Sequence, residues 1–341
     1  MRARSLFASL LFASACVKIT TDDARDARAQ PAPAPVETKR AVEPTPTPSE
    51  APPPTAADAD APVPGFDVRE PVAAEPIGVT LIEAGAEPRE RLQIRGTVGA
   101  HRKLRIELGL AAAMHVGTRD VPPTKLPALQ VVLDTEVLEV TPARTTIAIV
   151  VTEVIVPSDA SSSVRVQQAI TRTADELRAT KGKIVLAADG RIESFALAGE
   201  GAAGKQPGLE PELGGLAAAL QEMLPLVPSE PIGDGARWRA VQQVKRDTVT
   251  LQQVAEWTAK RDAEGIVLTA SSEHVVVAPP SGIVEAQSGT TRAKVAWDPS
   301  SPLPRSAEAE VSTTTRAHLE LVGAAQRVSM RVELSLRLAA G

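Results

Sequence analysis

The sequence predicts an α+β fold: a large curved antiparallel sheet with two helices packed on one face. Three observations predict it. From about residue 70 onward, apolar and polar residues alternate with period two, the mark of strands with one wet and one buried face. Turn signals such as Asp189-Gly190 and Gly323 separate consecutive alternating stretches, as hairpins require. Two stretches instead follow helical spacing, and the order strands, helix, hairpin, helix, strands lacks the βαβ alternation of a parallel sheet.

The chain opens on a stretch of another kind. Residues 1–4 carry Arg2 and Arg4 and no acid, residues 6–12 form an apolar run broken only by Ser9, and Ala13-Ser14-Ala15 precede Cys16. A charged start, a short apolar middle and small residues before a cut describe a secretory signal over residues 1–15. The apolar run is too short to span a bilayer, which needs about 20 residues. Residues 16–69 read as a linker. Eleven prolines fall between Pro31 and Pro64, among Ala, Thr, Glu and Asp. With few large side chains to bury and many residues lacking an amide donor, this composition predicts a disordered chain of polyproline II character. At ~3.1 Å per residue, residues 17–64 would reach on the order of 150 Å when fully extended.

Residues 70–341 read as one β-rich globular domain, with the alternative of two similar halves left open, since no repeat of fixed period is found. In order, residues 104–116 alternate Leu104, Ile106, Leu108 and Leu110 with Arg105 and Glu107, and residues 129–140 and 145–156 form a further pair. Residues 166–180 place Val166, Ala169, Ile170, Thr173 and Leu177 on one helical face, with Gly182 as a stop. Residues 183–186 and 192–197 flank Asp189-Gly190. Residues 211–224 form the second expected helix, opening on Pro211 and closing before Pro225. Residues 249–259 and 266–277 pair around Glu264-Gly265, and residues 294–297 end in Trp297. The clearest hairpin is last: Val311 to Leu321, then Val328 to Leu338, joined near Gly323.

Composition narrows the function. The net charge of −5 falls to −7 when the leader's two arginines are removed, so there is no electrostatic footprint for nucleic acid. Only four Phe and three Trp are present, with no Tyr, which disfavours base stacking. The sole cysteine, Cys16, excludes an internal disulfide. Residues 199–206 (GEGAAGKQ) match the spacing of a phosphate-binding loop until Gln206 stands where a magnesium-binding hydroxyl is needed. His101, His115, His274 and His318 lie far apart in sequence, so no metal site is predicted. Ser158 to Ser163 lack the glycines of a nucleophile elbow. No catalytic residue and no cofactor are predicted.

The leader resembles the bacterial lipobox, with Ala13, Ser14, Ala15 and Cys16 in its last four places; Ala13 stands where Leu is commoner. The resemblance implies a lipid-anchored envelope lipoprotein, acylated on Cys16. Val17 in place of Asp then implies, for a Gram-negative source, the outer membrane, with the domain facing the periplasm or the cell surface. The expected architecture is similar to that of periplasmic lipoprotein and lipid-carrier folds. Residues 224–228 and 231–238 resemble a segment of uncharacterised envelope lipoproteins. Partners follow from these readings: a membrane through the N-terminal lipid, and either an apolar ligand or an envelope protein. Leu220, Met223, Leu224, Trp238 and Trp257 are the residues expected to line an apolar pocket, if they do more than fill the space between sheet and helix. The leading expectation is a non-catalytic binding module; the alternative is a structural lipoprotein that contacts peptidoglycan or another envelope protein.

Overall fold

The computed structural model describes residues 63–157, 164–178, 180–198, 224–246, 249–278, 284–298, 300–321 and 324–341. The leader, the Pro-rich linker to residue 62, the serine run 158–163, the glycine loop 199–206 and the expected helix at 211–224, save Leu224, lie outside these residues.

The described residues contain fourteen strands and one helix. The first half holds β1 (Gly78–Glu83), β2 (Ala86–Glu90), β3 (His101–Val116), β4 (Arg119–Val140), β5 (Arg144–Ile155), α1 (Val164–Leu177), β6 (Lys181–Ala187) and β7 (Ile192–Ala198). The second holds β8 (Ile232–Asp234), β9 (Arg237–Arg246), β10 (Val249–Asp262), β11 (Gly265–Val276), β12 (Val284–Trp297), β13 (Ser306–Leu321) and β14 (Ala324–Ala340). Twelve strands form one antiparallel sheet in the order β1-β9-β10-β11-β12-β13-β14-β3-β4-β5-β6-β7, and β2 pairs with β8 as a small flap.

This corrects the expected α+β class. The protein is nearly all β, and two helices packed side by side on the sheet are not found among the described residues. One helix, α1, packs Ala174 and Leu177 into the same cluster as Val151 and Val154 of β5. Gly182, expected as a helix stop, is instead a strand residue opposite Ile149 of β5 and Leu197 of β7. The apolar spacing at 166–180 does mark a helix, but it ends at Leu177, and the chain enters β6 at Lys181.

Alternation sets the two faces. On β14, Leu336 and Leu338 are buried, while Ser335 and Arg337 between them are exposed. On the buried face, side chains from β3–β6 and β9–β14 meet in one core with Leu92, Ile94, Leu226, Val227 and Leu303 from connecting segments. The outer face carries charges of alternating sign in register. Lys294, Glu308, Arg337 and Glu107 stand successively opposite one another on β12, β13, β14 and β3, the arrangement that favours cross-strand pairing in water.

The largest extensions beyond the sequence pattern are in β4 and β12. β4 runs ten residues further back than residue 129, through Pro122, Pro123 and Pro127. These prolines fall where the register with β3 shifts, and β5 pairs with β4 only from Gln130 onward. A bulge and a free edge are where a residue without an amide donor is tolerated. β12 begins at Val284, not at residue 294; after Val284 and Ala286 it runs through Gln287, Ser288, Gly289, Thr290 and Thr291, so the alternation is faint.

Candidate functional site

The sheet curls until its two terminal strands approach, and the gap between them holds the candidate site. β1 and β7 are not hydrogen-bonded to each other, yet Val79 of β1 and Ala188 and Arg191 of the β6–β7 turn line a common cavity of about 460 Å³. That volume falls in the range of roughly 300–1,000 Å³ typical of small-molecule sites.

The segment Leu224–Pro228 bridges the gap. Leu226 O accepts a 2.7 Å bond from Trp238 Nε1 on β9. Its neighbour Val227 donates its amide to Asp189 O in the β6–β7 turn, at 2.9 Å. The turn is shaped for this contact. Gly190 has φ +90°, a conformation natural only to glycine, and a Cβ there would stand 2.2 Å from Pro225 O and 2.5 Å from Ile94 Cδ1. One end of the sheet is therefore pinned to the other through two consecutive residues. The floor of the cavity is apolar, formed by Leu92, Leu226, Val227 and Pro228, and Ile77 at its mouth remains 56% exposed. The charged lining groups are Arg91, Arg191 and Asp189. Asp189 is already engaged: its Oδ1 accepts the Arg191 amide at 3.1 Å, and its Oδ2 lies 4.0 Å from Arg191 Nε.

Three of the five residues expected to line an apolar pocket sit next door, in the core. Leu224, Trp238 and Trp257 belong to one buried cluster, with Trp238 fully buried and Trp257 5% exposed. The two indoles stand directly opposite on β9 and β10 and stack with centroids 6.4 Å apart. Leu220 and Met223 lie outside the described residues. Of that set, Trp238 reaches the cavity only through Leu226. The actual lining comes from five separated stretches of chain, including residues 77–79 and 91–93, which no periodicity singles out.

A second polar feature was also missed. Across the buried face of β9–β13 runs a belt of hydrogen-bonding side chains. Gln242 Nε2 donates to Gln253 Oε1 at 2.6 Å, and Gln253 Nε2 donates to Ser272 Oγ at 3.2 Å. His274 Nε2 lies 3.1 Å from Thr313 Oγ1. Gly289 opposite His274 makes room for the ring: a Cβ there would stand 2.3 Å from His274 Nε2.

The other histidines face outward. His115 pairs with Asp120 at 2.7 Å and His101 with Glu136 at 3.7 Å. His318 joins Arg316 and Arg327 around Glu285. The His115–Asp120 and His274–Thr313 pairs occupy opposite faces, so they do not combine into one acid–base–nucleophile chain. No group of three metal-ligating side chains occurs among the described residues. On the outer face, an open groove of about 500 Å³ is lined by polar and charged residues, including Lys125, Arg292, Glu310 and Glu333.

No protein-family model matches the chain, and no curated protein matches its sequence.

Proposed function

We propose that this protein is a membrane-tethered lipoprotein of the bacterial envelope, anchored through Cys16 to the outer membrane, whose folded domain is a non-catalytic binding module for an apolar ligand. The observation that carries the ligand reading is the cavity between β1 and the β6–β7 turn, with its floor of Leu92, Leu226, Val227 and Pro228. A site at the meeting of two sheet edges is open to solvent, partly apolar and rimmed by a few polar groups, as small-molecule sites usually are. The anchoring reading rests on the leader and on a cysteine with no disulfide use; two or more acyl chains on one residue hold a protein stably where one does not. The Pro-rich linker would let the domain range away from its membrane.

The cavity is tested with a neutral apolar fluorophore, N-phenyl-1-naphthylamine, titrated into the purified mature protein. Saturable binding is expected, and Ser229→Phe, which places a ring among the lining residues at an exposed position, should weaken it by roughly tenfold or more. Absence of binding, or binding indifferent to Ser229→Phe at unchanged stability, would remove the ligand reading. Native mass spectrometry of detergent-extracted protein reads acylation of Cys16 directly. A Cys16→Ser variant should leave the membrane fraction; its retention there would remove the anchoring reading. The polar outer groove favours a second reading, an interaction lipoprotein that meets peptidoglycan or an envelope protein through the charged face. Under that reading Lys125→Glu would disturb envelope association while the cavity stays empty of probe.

A further inference from the structure

We infer that the ligand of the cavity is an amphiphile with one aliphatic chain and an anionic head, its chain on the apolar floor and its head between Arg91 and Arg191. The inference rests on the cavity being a ligand site. It adds which chemistry that site selects.

The argument starts from charge. The lining contains two arginines and one carboxylate, so the site carries net positive charge in a protein whose overall charge is −5. The carboxylate does not cancel both cations. Asp189 is tied to the backbone and side chain of Arg191, whereas Arg91 makes no ion pair among the described residues. Two acids adjoin the lining in sequence and are engaged elsewhere: Glu230 accepts a 3.1 Å bond from Ser229 Oγ, and Glu90 pairs with Arg261 at 3.2 Å; neither is part of the lining. Elsewhere on the exposed surface, the arginines of the strap that precedes β1 and of its crossing partners are paired: Arg69 with Glu273, Arg239 with Glu75, Arg316 with Glu70. Arg91 departs from that habit at a place where an apolar floor meets solvent.

Geometry adds two points. Among the described strands β1 is terminal and hydrogen-bonded only to β9, so of the adjacent lining residues Gly78 and Val79 one turns its backbone N–H and C=O away from β9, where they can meet a polar head. Guanidinium groups hold carboxylate and phosphate oxygens through paired donors. Below them, Leu226 and Val227 are fixed by their bonds to Trp238 and Asp189, so the apolar floor exists before a ligand arrives and little ordering opposes binding. The exposed Ile77 at the mouth extends the apolar wall along a chain leaving the cavity.

The experiment compares heads on one chain. Dodecanoate, dodecyl phosphate and neutral dodecanol each compete against N-phenyl-1-naphthylamine on the mature protein, with the parent and with Arg91→Gln/Arg191→Gln. Both arginines are exposed, so the double variant should fold, and an unchanged denaturation midpoint verifies this. One or both anions should displace the probe about tenfold more effectively than dodecanol in the parent, and the double variant should lose that preference. Dodecanoate against dodecyl phosphate then tells a carboxylate head from a phosphate head. The preference should also shrink as salt rises. Equal displacement by anions and alcohol, or an unchanged preference in the double variant, overturns the anionic head while leaving the cavity as a ligand site. Failure of the fluorophore itself to bind overturns both.

Discussion

The same strands build two unlike interiors at their two ends. Toward the Trp end, the buried face of β9–β12 is Trp238, Ala255, Trp257, Leu268, Val295 and Trp297, small alanines alternating with large rings. A few residues along, on the same face and in the same register, come Gln242, Gln253, Ser272, His274 and Thr291, and beyond them a small separate apolar cluster of Val249, Leu251, Val276 and Val284. Alternation decides which face a residue occupies. It does not decide what that face is made of. The apolar end gains stability through burial and packing of its side chains against one another. The polar end gains it only while its partners are in place, because a buried polar group costs free energy once its bond is lost. The backs of the two ends differ as well. Behind the Trp end the outer face is solvated, with its charges in alternating order. Behind the belt lies the chain segment 66–77, which crosses the sheet before joining it as β1: Arg69 N donates to Ser288 Oγ, Glu75 N to Gln252 Oε1, and Val72 N to Val276 O.

Trp238 gives the largest expected effect. Trp238→Ala should destabilise the fold by about 3–5 kcal/mol in chemical denaturation, the usual cost of emptying a buried indole site. Trp238→Phe isolates a different quantity: most of the ring volume stays, but Leu226 O loses its donor, for about 1–3 kcal/mol. If Trp238→Phe proved neutral, the closing segment would not depend on that bond, and the pinning of β9 to the β6–β7 turn would have to come from Val227 alone.

At the belt, Gly289→Ala should cost about 1–3 kcal/mol through overpacking. The new Cβ would lie 2.2 Å from Ser312 O as well as against His274. Because one of those contacts is backbone, adding His274→Ala should not restore stability. Full rescue by His274→Ala would show that only the ring is crowded and that β12 and β13 can separate. Gln253→Leu should cost about 1–3 kcal/mol by stripping Gln242 and Ser272 of a partner. Gln242→Leu should cost less in that background than alone, with a coupling on the order of 0.5–3 kcal/mol. Simple additivity would mean that the belt is a row of independent residues, and the contrast between the two ends would weaken.

How far this could be read from sequence follows the same contrast. The strands with an apolar inner row, residues 328–338 and 104–116 above all, are legible because Val, Leu and Met mark every second place. The first half of β12 is not, since Gln287, Gly289 and Thr291 occupy the inner positions where apolar residues would advertise a strand. β9 hides in the same way behind Gln242. The start of β4 hides behind three prolines whose tolerance depends on bulges and on the end of β5, neither of which is visible in one segment's composition. The cavity is less legible still. Its lining joins residues near 77, 91, 189 and 227 that meet only because a twelve-stranded sheet curls on itself. The Leu226–Trp238 neighbourhood was noticeable in the sequence only through the resemblance of residues 224–228 and 231–238 to a segment of uncharacterised envelope lipoproteins. That it closes the sheet was not, because hydrogen bonds across the gap leave no periodic trace.

The smallest effect concerns the segment behind the belt. Arg69 and Glu273 form a two-bonded pair, Nη1 to Oε2 at 2.6 Å and Nη2 to Oε1 at 2.9 Å, but both side chains are more than half exposed. Such a pair is worth about 0–1 kcal/mol, so Arg69→Gln should scarcely move the global denaturation midpoint. Its signature is local. The hydrogen bond from Arg69 holds the Glu273 carboxyl below its ordinary value of 4.5; partial burial opposes this and the charge attraction adds to it. A carboxylate lowered in the folded state stabilises above its unfolded value and loses that contribution as pH falls through the lowered one. Hydrogen exchange at Val72, whose amide bonds to Val276 O at 3.0 Å, should therefore show protection that weakens below about pH 4.5 in the parent, beyond the intrinsic pH dependence of exchange. Arg69→Gln should lower the protection at neutral pH and flatten its acid dependence. If Val72 stayed equally protected in both proteins at every pH, the segment would be held without the Arg69–Glu273 pair, by its backbone bridge to β11 and its bonds to Ser288 and Gln252. The belt would then have a backing as unconditional as the packing at the Trp end.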